Sequence, residues 1–376
     1  PEGITLLVPA EMKAIVGTPL LSPLGKARMA LDYVIPARKD DGDESVGSFV
    51  RRRVGKQAFE RMAEPLLSGI FAGDADQLSL QSTFPRLRQV ELEHGSVIKG
   101  AIVQRRAARA RTTATEPKRT PFVSLRNGLR SLIDALADTI EPLNMRLSTP
   151  VELIEPNADG YAVVAAGERS DFDGVVIAVP ANVAAVMLRS LDQELTVNLA
   201  SVPFVSSATI SLAFDADAVR DKQVGRGFVI PRAEGRTLTA VTWTSNKFGG
   251  RVPDDVALLR GFVGRAGNER PAFLPEEELI PLVRAELKDI LGIDAEPLVS
   301  RVYRWSNALP QYNLGHPERL AEIEGCVSRH PGLALTGASY RGVGIPDCIA
   351  DARTQAIALV ERLRLQSMQH VRTTGA

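Results

Sequence analysis

Residues 332–363 read GLALTGASYRGVGIPDCIADARTQAIALVERL. The run 333–336 is apolar and of strand length, and it closes on Gly337 and a loop holding Gly342 and Gly344. Beyond Pro346, the residues Ile349, Ala352, Ala356, Leu359 and Val360 recur at the spacing of one helix face. The expected order is therefore strand, glycine-rich turn, helix. Glycine has no Cβ, so its backbone can take positive φ and approach a flat or charged ligand closely. Pro346 is pre-shaped for a first helical position, and the unpaired N–H groups of a first helical turn favour an anion such as phosphate. A Gly-x-Gly by itself serves equally well as a tight connection, so the remainder of the chain has to decide.

With 376 residues the chain can bury a large core and is long enough for two or three domains. Its 45 basic and 45 acidic side chains cancel, so no global field draws it to nucleic acid. Cys326 and Cys348 are its two cysteines, and neither lies in a Cys-x-x-Cys or Cys/His pattern. That excludes a disulfide framework and a zinc site and points to a reducing, cytoplasmic compartment. The longest nearly apolar run, 175–188, contains Pro180 and Asn182 and is shorter than a membrane span. No metal ligand set and no signal peptide is legible, and the opening at Pro1 in mid-pattern leads to the expectation that an N-terminal portion is missing.

Prolines 9, 19, 23 and 36 exclude long helices from most of the first 39 residues, with room for a short one over 25–33. Ser45 is placed to cap a helix running to about residue 63, whose Arg51, Arg52 and Arg53 form a basic cluster expected on a solvated face. Pro65 is expected to stop that helix, and Gly69 and Gly73 to punctuate turns in a compact, irregular run to Pro85. Residues 104–120, rich in Arg, Ala and Thr, read as a helix end followed by a linker. A helix is marked by Leu129, Leu132, Ile133, Leu136 and Ile140, then strands over 151–154, 161–166 and 174–179 and a helix over 181–191. Strands over 205–214, 227–231, 237–243 and 257–263 suggest an antiparallel sheet with one face in use. Pro275 and three glutamates start a helix that Gly292 stops, and a strand follows over 298–305.

Four blocks resemble one family, the oxygen-dependent, flavin-containing protoporphyrinogen and coproporphyrinogen oxidases of haem synthesis. They are GASYRGVGIPDCI at 337–349, RWSNALPQYNLGH at 304–316, EPLLSGIFAGDADQLSLQSTFP at 64–85, and GFVIPRAEGRTLTAVTWTSNKF at 227–248. The second and third blocks set the chain apart from FAD amine oxidases and carotene desaturases. The resemblance implies an α/β fold with an α+β substrate domain: an FAD-binding domain of the glutathione-reductase type interleaved with a substrate domain. Residues 1–120 would be a mainly helical region facing substrate or a membrane, and 121–195 the middle of the FAD-binding domain. Residues 196–297 would be the substrate-binding sheet, and 298–376 the C-terminal part of the FAD-binding domain.

Carried over by motif, Val151 falls on the adenine side of FAD, Trp305 close to the cofactor, and Gly342, Val343, Gly344 and Ile345 against its flavin and pyrophosphate end. Lys247 and Phe248 are substrate candidates through their place in the fourth block, and none of the four histidines is assigned as a general base. The implied reaction converts a porphyrinogen to the porphyrin with O2 as acceptor and hydrogen peroxide as product. Peripheral membrane contact and hand-off to the next haem-pathway enzyme are also implied. The alternatives are another FAD enzyme of the amine-oxidase or desaturase type and, from a different class, a non-catalytic tetrapyrrole-binding fragment. The family's Gly-x-Gly-x-x-Gly fingerprint does not occur in these 376 residues, so the N-terminal Rossmann βαβ is expected to be missing and FAD binding by this chain alone to be weak.

Overall fold

The computed structural model describes residues 17–111, 123–158, 160–223 and 225–374, so most of the expected linker lies outside the described residues. In chain order the principal elements begin with helices α1 (Pro23–Ala30), α2 (Val46–Val54), α3 (Glu64–Phe71), α4 (Pro85–His94), α5 (Val97–Arg111) and α6 (Arg130–Ala137). Strands β1 (Val151–Pro156), β2 (Tyr161–Ala165), β3 (Glu168–Phe172) and β4 (Val175–Ile177) follow, then helices α7 (Ala181–Met187) and α8 (Gln193–Ala200). Next come β5 (Phe204–Asp215), β6 (Gly227–Val229), β7 (Leu238–Trp243), β8 (Val256–Val263), α9 (Glu276–Leu291) and β9 (Val299–Pro310). The chain closes with α10 (His316–Ser328), β10 (Leu333–Leu335) and α11 (Ile345–Thr374). Two compact units result. Unit one holds the described residues of Pro1–Leu80, Phe84–Glu141 and Val205–Leu309, and unit two those of Gln81–Thr83, Pro142–Phe204 and Pro310–Ala376.

In unit one, a five-stranded sheet has the order β6-β7-β8-β5-β9, with antiparallel pairing from β6 through β5. Strand periodicity explains its two faces. Ala208, Ile210, Leu212 and Phe214 of β5 turn to one side, where they join Ala257, Leu259 and Val263 of β8 and Leu279, Val283 and Leu287 of α9 in one core. Each of the larger side chains among them, Val, Leu, Ile or Phe, stabilises the unit by about 1.5–3 kcal/mol through burial. Acids at positions 276–278 and Gly292 at φ +68 bound α9, as the sequence leads one to expect. The opposite face carries Thr242, Arg260 and Ser211 in one cross-strand row and Ala240, Phe262 and Thr209 in the next. The last strand is longer than its sequence suggests. It runs on through Asn307, whose φ of +46 is held by an N–H bond to Ser206 Oγ at 3.0 Å.

The helices of unit one correct three expectations. Ser45 does cap α2, accepting from Ser48 N at 3.1 Å, but the helix breaks at Gly55 (φ +92) and residues Phe59–Ala63 are π-helical. Pro65 stops nothing: it occupies the first turn of α3, where its missing N–H has no partner to lose, and Gly69 lies inside the same helix. The basic cluster is not a solvated face. Arg53 is completely buried, its Nε donates to Asp32 Oδ1 at 2.5 Å, and its Nη2 donates to the carbonyls of Asp32 (2.9 Å) and Gly95 (2.8 Å). Arg52 bridges Glu44 and Glu91, each at 2.6 Å. Burial alone would raise the Glu91 carboxyl, but hydrogen bonds from Arg52 and Arg88 outweigh it and hold the group below its ordinary value.

Unit two combines an antiparallel meander, β1-β2-β3, with a parallel pair, β4 and β10. Helices α7, α8 and α10 supply Ala181, Ala184, Leu195, Leu199, Ile323 and Cys326 to a core that also takes in Leu333, Leu335 and Tyr340. Among the described residues no helix is long and apolar enough to cross a membrane.

Candidate functional site

The glycine turn leaves β10 at Thr336 and enters α11 at Ile345. Gly337 (φ +116) and Gly342 (φ +149) both occupy the region that L side chains avoid. A Cβ at Gly342 would come within 2.5 Å of Asp347 Cβ, so glycine is required there for space as well as for conformation. Val343 and Ile345 stand at the tip of the turn with their apolar side chains exposed. Asp347 lies in the first turn of α11, and a Cβ at Gly344 would sit 2.7 Å from its Oδ2. Asp347 thus places a carboxylate in the first turn, where the helix dipole favours negative charge. The turn also offers exposed apolar side chains and close-approach backbone, which fit the edge of a flat ring system.

Three buried rings hold the turn in shape. Tyr312 Oη donates to Ala338 O at 2.8 Å and accepts from Gly342 N at 2.9 Å, which pins both limbs of the loop. His316 stacks on Tyr312 with centroids 4.0 Å apart, and its Nε2 faces Tyr340 O at 2.9 Å. Burial lowers the His316 pKa and so favours the neutral ring, and because a carbonyl only accepts, Nε2 carries the proton of this bond. Tyr340 is buried with no partner for its hydroxyl among the described residues, and burial raises the pKa of both tyrosines. Below the turn, Thr336 Oγ1 donates to Asp351 Oδ2 (2.6 Å), and Arg341 binds Asp351 (3.1 Å) and Glu324 (2.6 Å). A cavity of about 460 Å3 beside β10 is lined by Ile323, Val327, Leu335, Tyr340, Arg341 and Arg362 among others. There Arg362 donates to Pro331 O and Leu333 O and Arg341 to Leu335 O, at 3.2–3.4 Å.

The residues marked from sequence fall into two groups. Val151 begins β1 and packs against the core that contains Tyr340, in the same unit as Gly342–Ile345. Trp305, Lys247 and Phe248 belong to unit one. Trp305 is half-exposed on β9; Val302 packs into the core, so alternation turns Trp305 and Tyr303 to the opposite sheet face. Lys247 ends a short helix, Thr244–Lys247, with its Nζ 5.3 Å from the Phe248 ring centroid, and Arg251 lies over the same ring at 5.6 Å. Tyr312, His316, Tyr340 and Asp351 carried no role in the sequence reading. The Pro-Gln-Tyr letters of the second block were the only signal for Tyr312.

The model of the flavin containing amine oxidoreductase family matches residues 3–360. The coproporphyrinogen III oxidase of Bacillus subtilis (strain 168) is 38% identical over 351 residues, covering 93% of this chain and 74% of the relative. The corresponding protein of Staphylococcus aureus is 32% identical, covering 96% of the chain and 79% of the relative. A crystal structure from Exiguobacterium sp. 255-15, provisionally named a protoporphyrinogen oxidase, superposes with a TM-score of 0.82 at 30% identity, covering 97% of this chain and 77% of that one. With a matched model over nearly its whole length, and with relatives that it spans by about three quarters, this chain belongs to the flavin-containing amine oxidoreductase family.

Proposed function

We propose that the chain is the larger part of an FAD-dependent, oxygen-dependent oxidase of haem synthesis, converting coproporphyrinogen III or protoporphyrinogen IX to the porphyrin. The observation that carries this is the turn from Gly337 to Ile345, shaped by glycines, tipped by Val343 and Ile345 and locked by Tyr312. When bound, FAD supplies hydride acceptance and reoxidation by O2 with release of hydrogen peroxide. In this reading the backbone of Gly342–Ile345 lies along the flavin and excludes water from it, and Val151 borders the adenine side. Trp305 keeps its assignment near the cofactor on its motif alone. The open face of the unit-one sheet, with Tyr303, Phe262 and Arg260, offers ring and cation surface to a macrocycle, and Lys247, Phe248 and Arg251 extend that chemistry. A cytoplasmic setting, peripheral membrane contact and hand-off of the product to the next haem-pathway enzyme belong to the same proposal.

In the same reading an N-terminal Rossmann βαβ completes the parallel sheet of unit two. Parallel sheets are normally covered and several strands wide, yet β4 and β10 form a pair of three-residue strands. Beyond β10, Arg341 and Arg362 give N–H groups to the carbonyls of Leu333 and Leu335. Edge carbonyls capped by arginines beside an apolar cleft support a further parallel strand at this edge, as the missing fingerprint segment would supply. The test is to purify the chain, record its flavin absorption, and follow porphyrin fluorescence from a porphyrinogen in air and without oxygen. Weak FAD retention by these 376 residues is expected, and tight stoichiometric retention would contradict the role given to the missing fingerprint. A version with the fingerprint that neither holds flavin nor forms porphyrin would remove the oxidase reading.

A further inference from the structure

Arg265 is a second deeply buried arginine of unit one, 4% exposed, and it is held in an unusual way. Strand β8 ends at Val263, and Gly264 (φ +84) follows. A Cβ on Gly264 would come within 2.8 Å of Ser206 O and 2.9 Å of Ser207 Cα, so only glycine lets the chain pass. Arg265 and Asn268 then close a tight turn on each other, N–H to O at 3.2 and 2.8 Å, with Gly267 at φ +78. Ala266 N donates at 2.7 Å to Ala72 O, at the left-handed end of α3. The backbone that carries the guanidinium is therefore fixed from two sides.

The guanidinium itself is not satisfied. Its Nε and Nη1 are buried without a hydrogen-bond partner among the described residues. The charged groups facing it are Arg232 and Glu64, and Glu64 is already engaged: its Oε2 accepts from Arg232 N at 3.1 Å and its Oε1 faces Arg232 Nε at 3.5 Å. Arg232 Nη1 donates to Ala266 O at 3.2 Å, in the turn that carries Arg265. Glu64 is thus committed to Arg232 and acts on Arg265 only at longer range. Burial depresses the Arg265 pKa, Arg232 adds to the effect and Glu64 opposes it. A buried cation without a partner is the costly half of an ion pair, and the fork of a guanidinium matches a carboxylate through two parallel bonds.

We propose that Arg265, with Arg232 beside it, is a receptor for a ligand carboxylate, and, resting on the porphyrinogen reading above, that this carboxylate is a propionate of the substrate. Nothing in the motifs marks this position; the missing bonds do. The added positive charge suits a macrocycle with four propionates better than one with two.

The full chain is titrated with coproporphyrin III and with its tetramethyl ester, following the porphyrin absorption shift, for the unaltered protein, Arg265→Leu and Arg265→Lys. Thermal melts accompany each. Charge-assisted bonds of this kind predict a loss of about tenfold to a hundredfold in affinity for the acid in Arg265→Leu, an intermediate loss in Arg265→Lys, and no change for the ester. The ligand-free Arg265→Leu protein is expected to melt no lower than the unaltered one, because an unpaired buried charge has been removed. Equal affinity of Arg265→Leu for the acid overturns the inference, and so does an equal loss for acid and ester, which marks general damage. A large drop in melting temperature with unchanged binding makes Arg265 structural and also overturns it. If the unaltered chain binds neither porphyrin, the carboxylate site at Arg265 falls, while the oxidase reading is decided separately by flavin content and porphyrin formation in the version that carries the fingerprint.

Discussion

Arg53 and Arg265 are both buried arginines of unit one, and they differ in what surrounds them. Arg53 meets Asp32, Glu91 and the carbonyls of Ile35, Pro36 and Gly95, so its donor fork is filled. Asp32 is filled in turn by Ser96 Oγ at 2.5 Å and Ile98 N at 2.9 Å. Arg265 has Arg232 for a neighbour and two N–H-bearing nitrogens without a partner. A closed network of this kind locks α2 to the segments around it and leaves nothing for a ligand to bind. An open one is stabilised when something arrives. The same residue type thus serves as a structural rivet in one place and as a candidate receptor in the other, and the hydrogen-bond inventory separates the two.

The sharpest way to break this comparison is to remove the guanidinium in both places. Arg53→Leu takes from the buried carboxylates of Asp32 and Glu91 the cation that they share, and breaking a buried pair of this kind costs about 3–5 kcal/mol. Urea unfolding of Arg53→Leu beside Arg265→Leu should show a large fall in midpoint for the first and none for the second. Equal falls would mean that both arginines are structural.

A second test uses pH. The Glu91 carboxyl is held below its ordinary value, because hydrogen bonds from Arg52 and Arg88 overcome the opposing effect of burial. A depressed carboxylate adds stability that is fully present above the unfolded value, near 4.5, and is lost as the pH falls through the lower folded value. The acid limb of the stability curve should therefore drop below about pH 4.5. Glu91→Gln should be less stable at neutral pH, and its acid limb should be flatter. An acid limb identical in slope for the two proteins would show that Glu91 is not a principal anchor of the network.

What the sequence made legible follows the range of the interactions. Ser45 caps α2 through a residue three positions away, and Gly342 is demanded by its own φ and by Asp347 five positions on, so local patterns expose both. The strands of unit one show through their period of two, because α9 covers one face and the other is covered only in part, with Ala240 buried there and Arg260 exposed. The role of Arg53 was illegible because its partners Asp32 and Glu91 are 21 and 38 positions away, and three arginines in a row look like a wet surface until those partners are known. Pro65 misleads for a related reason: whether proline ends one helix or starts the next depends on where the chain packs, and here Phe59 and Ala63 before it and Leu67 and Phe71 after it enter one core. In the candidate site, the glycine turn was visible, but the tie from Tyr312 to Gly342 crosses 30 positions and the isolation of Arg265 has no sequence signature at all.

Unit two contains the same contrast on a smaller scale, in two buried tyrosines. Tyr312 Oη holds Ala338 O and Gly342 N, whereas Tyr340 Oη holds nothing. Tyr312→Phe keeps the ring against His316 but strips a backbone acceptor and a backbone donor of their partner, at a cost of about 1–3 kcal/mol. Tyr340→Phe removes a hydroxyl that has no bond to lose, so its effect should stay within about 0.5 kcal/mol or be stabilising. Amide exchange adds a local readout: the Gly342 N–H should exchange faster in Tyr312→Phe, with β1–β3 unchanged, and should be unaltered in Tyr340→Phe. Faster exchange at Gly342 alone ties Tyr312 to the shape of the turn rather than to the stability of the unit. If Tyr340→Phe proves the more costly of the two, its hydroxyl has a partner in solution, and the rule drawn from Arg53 and Arg265 fails at this pair.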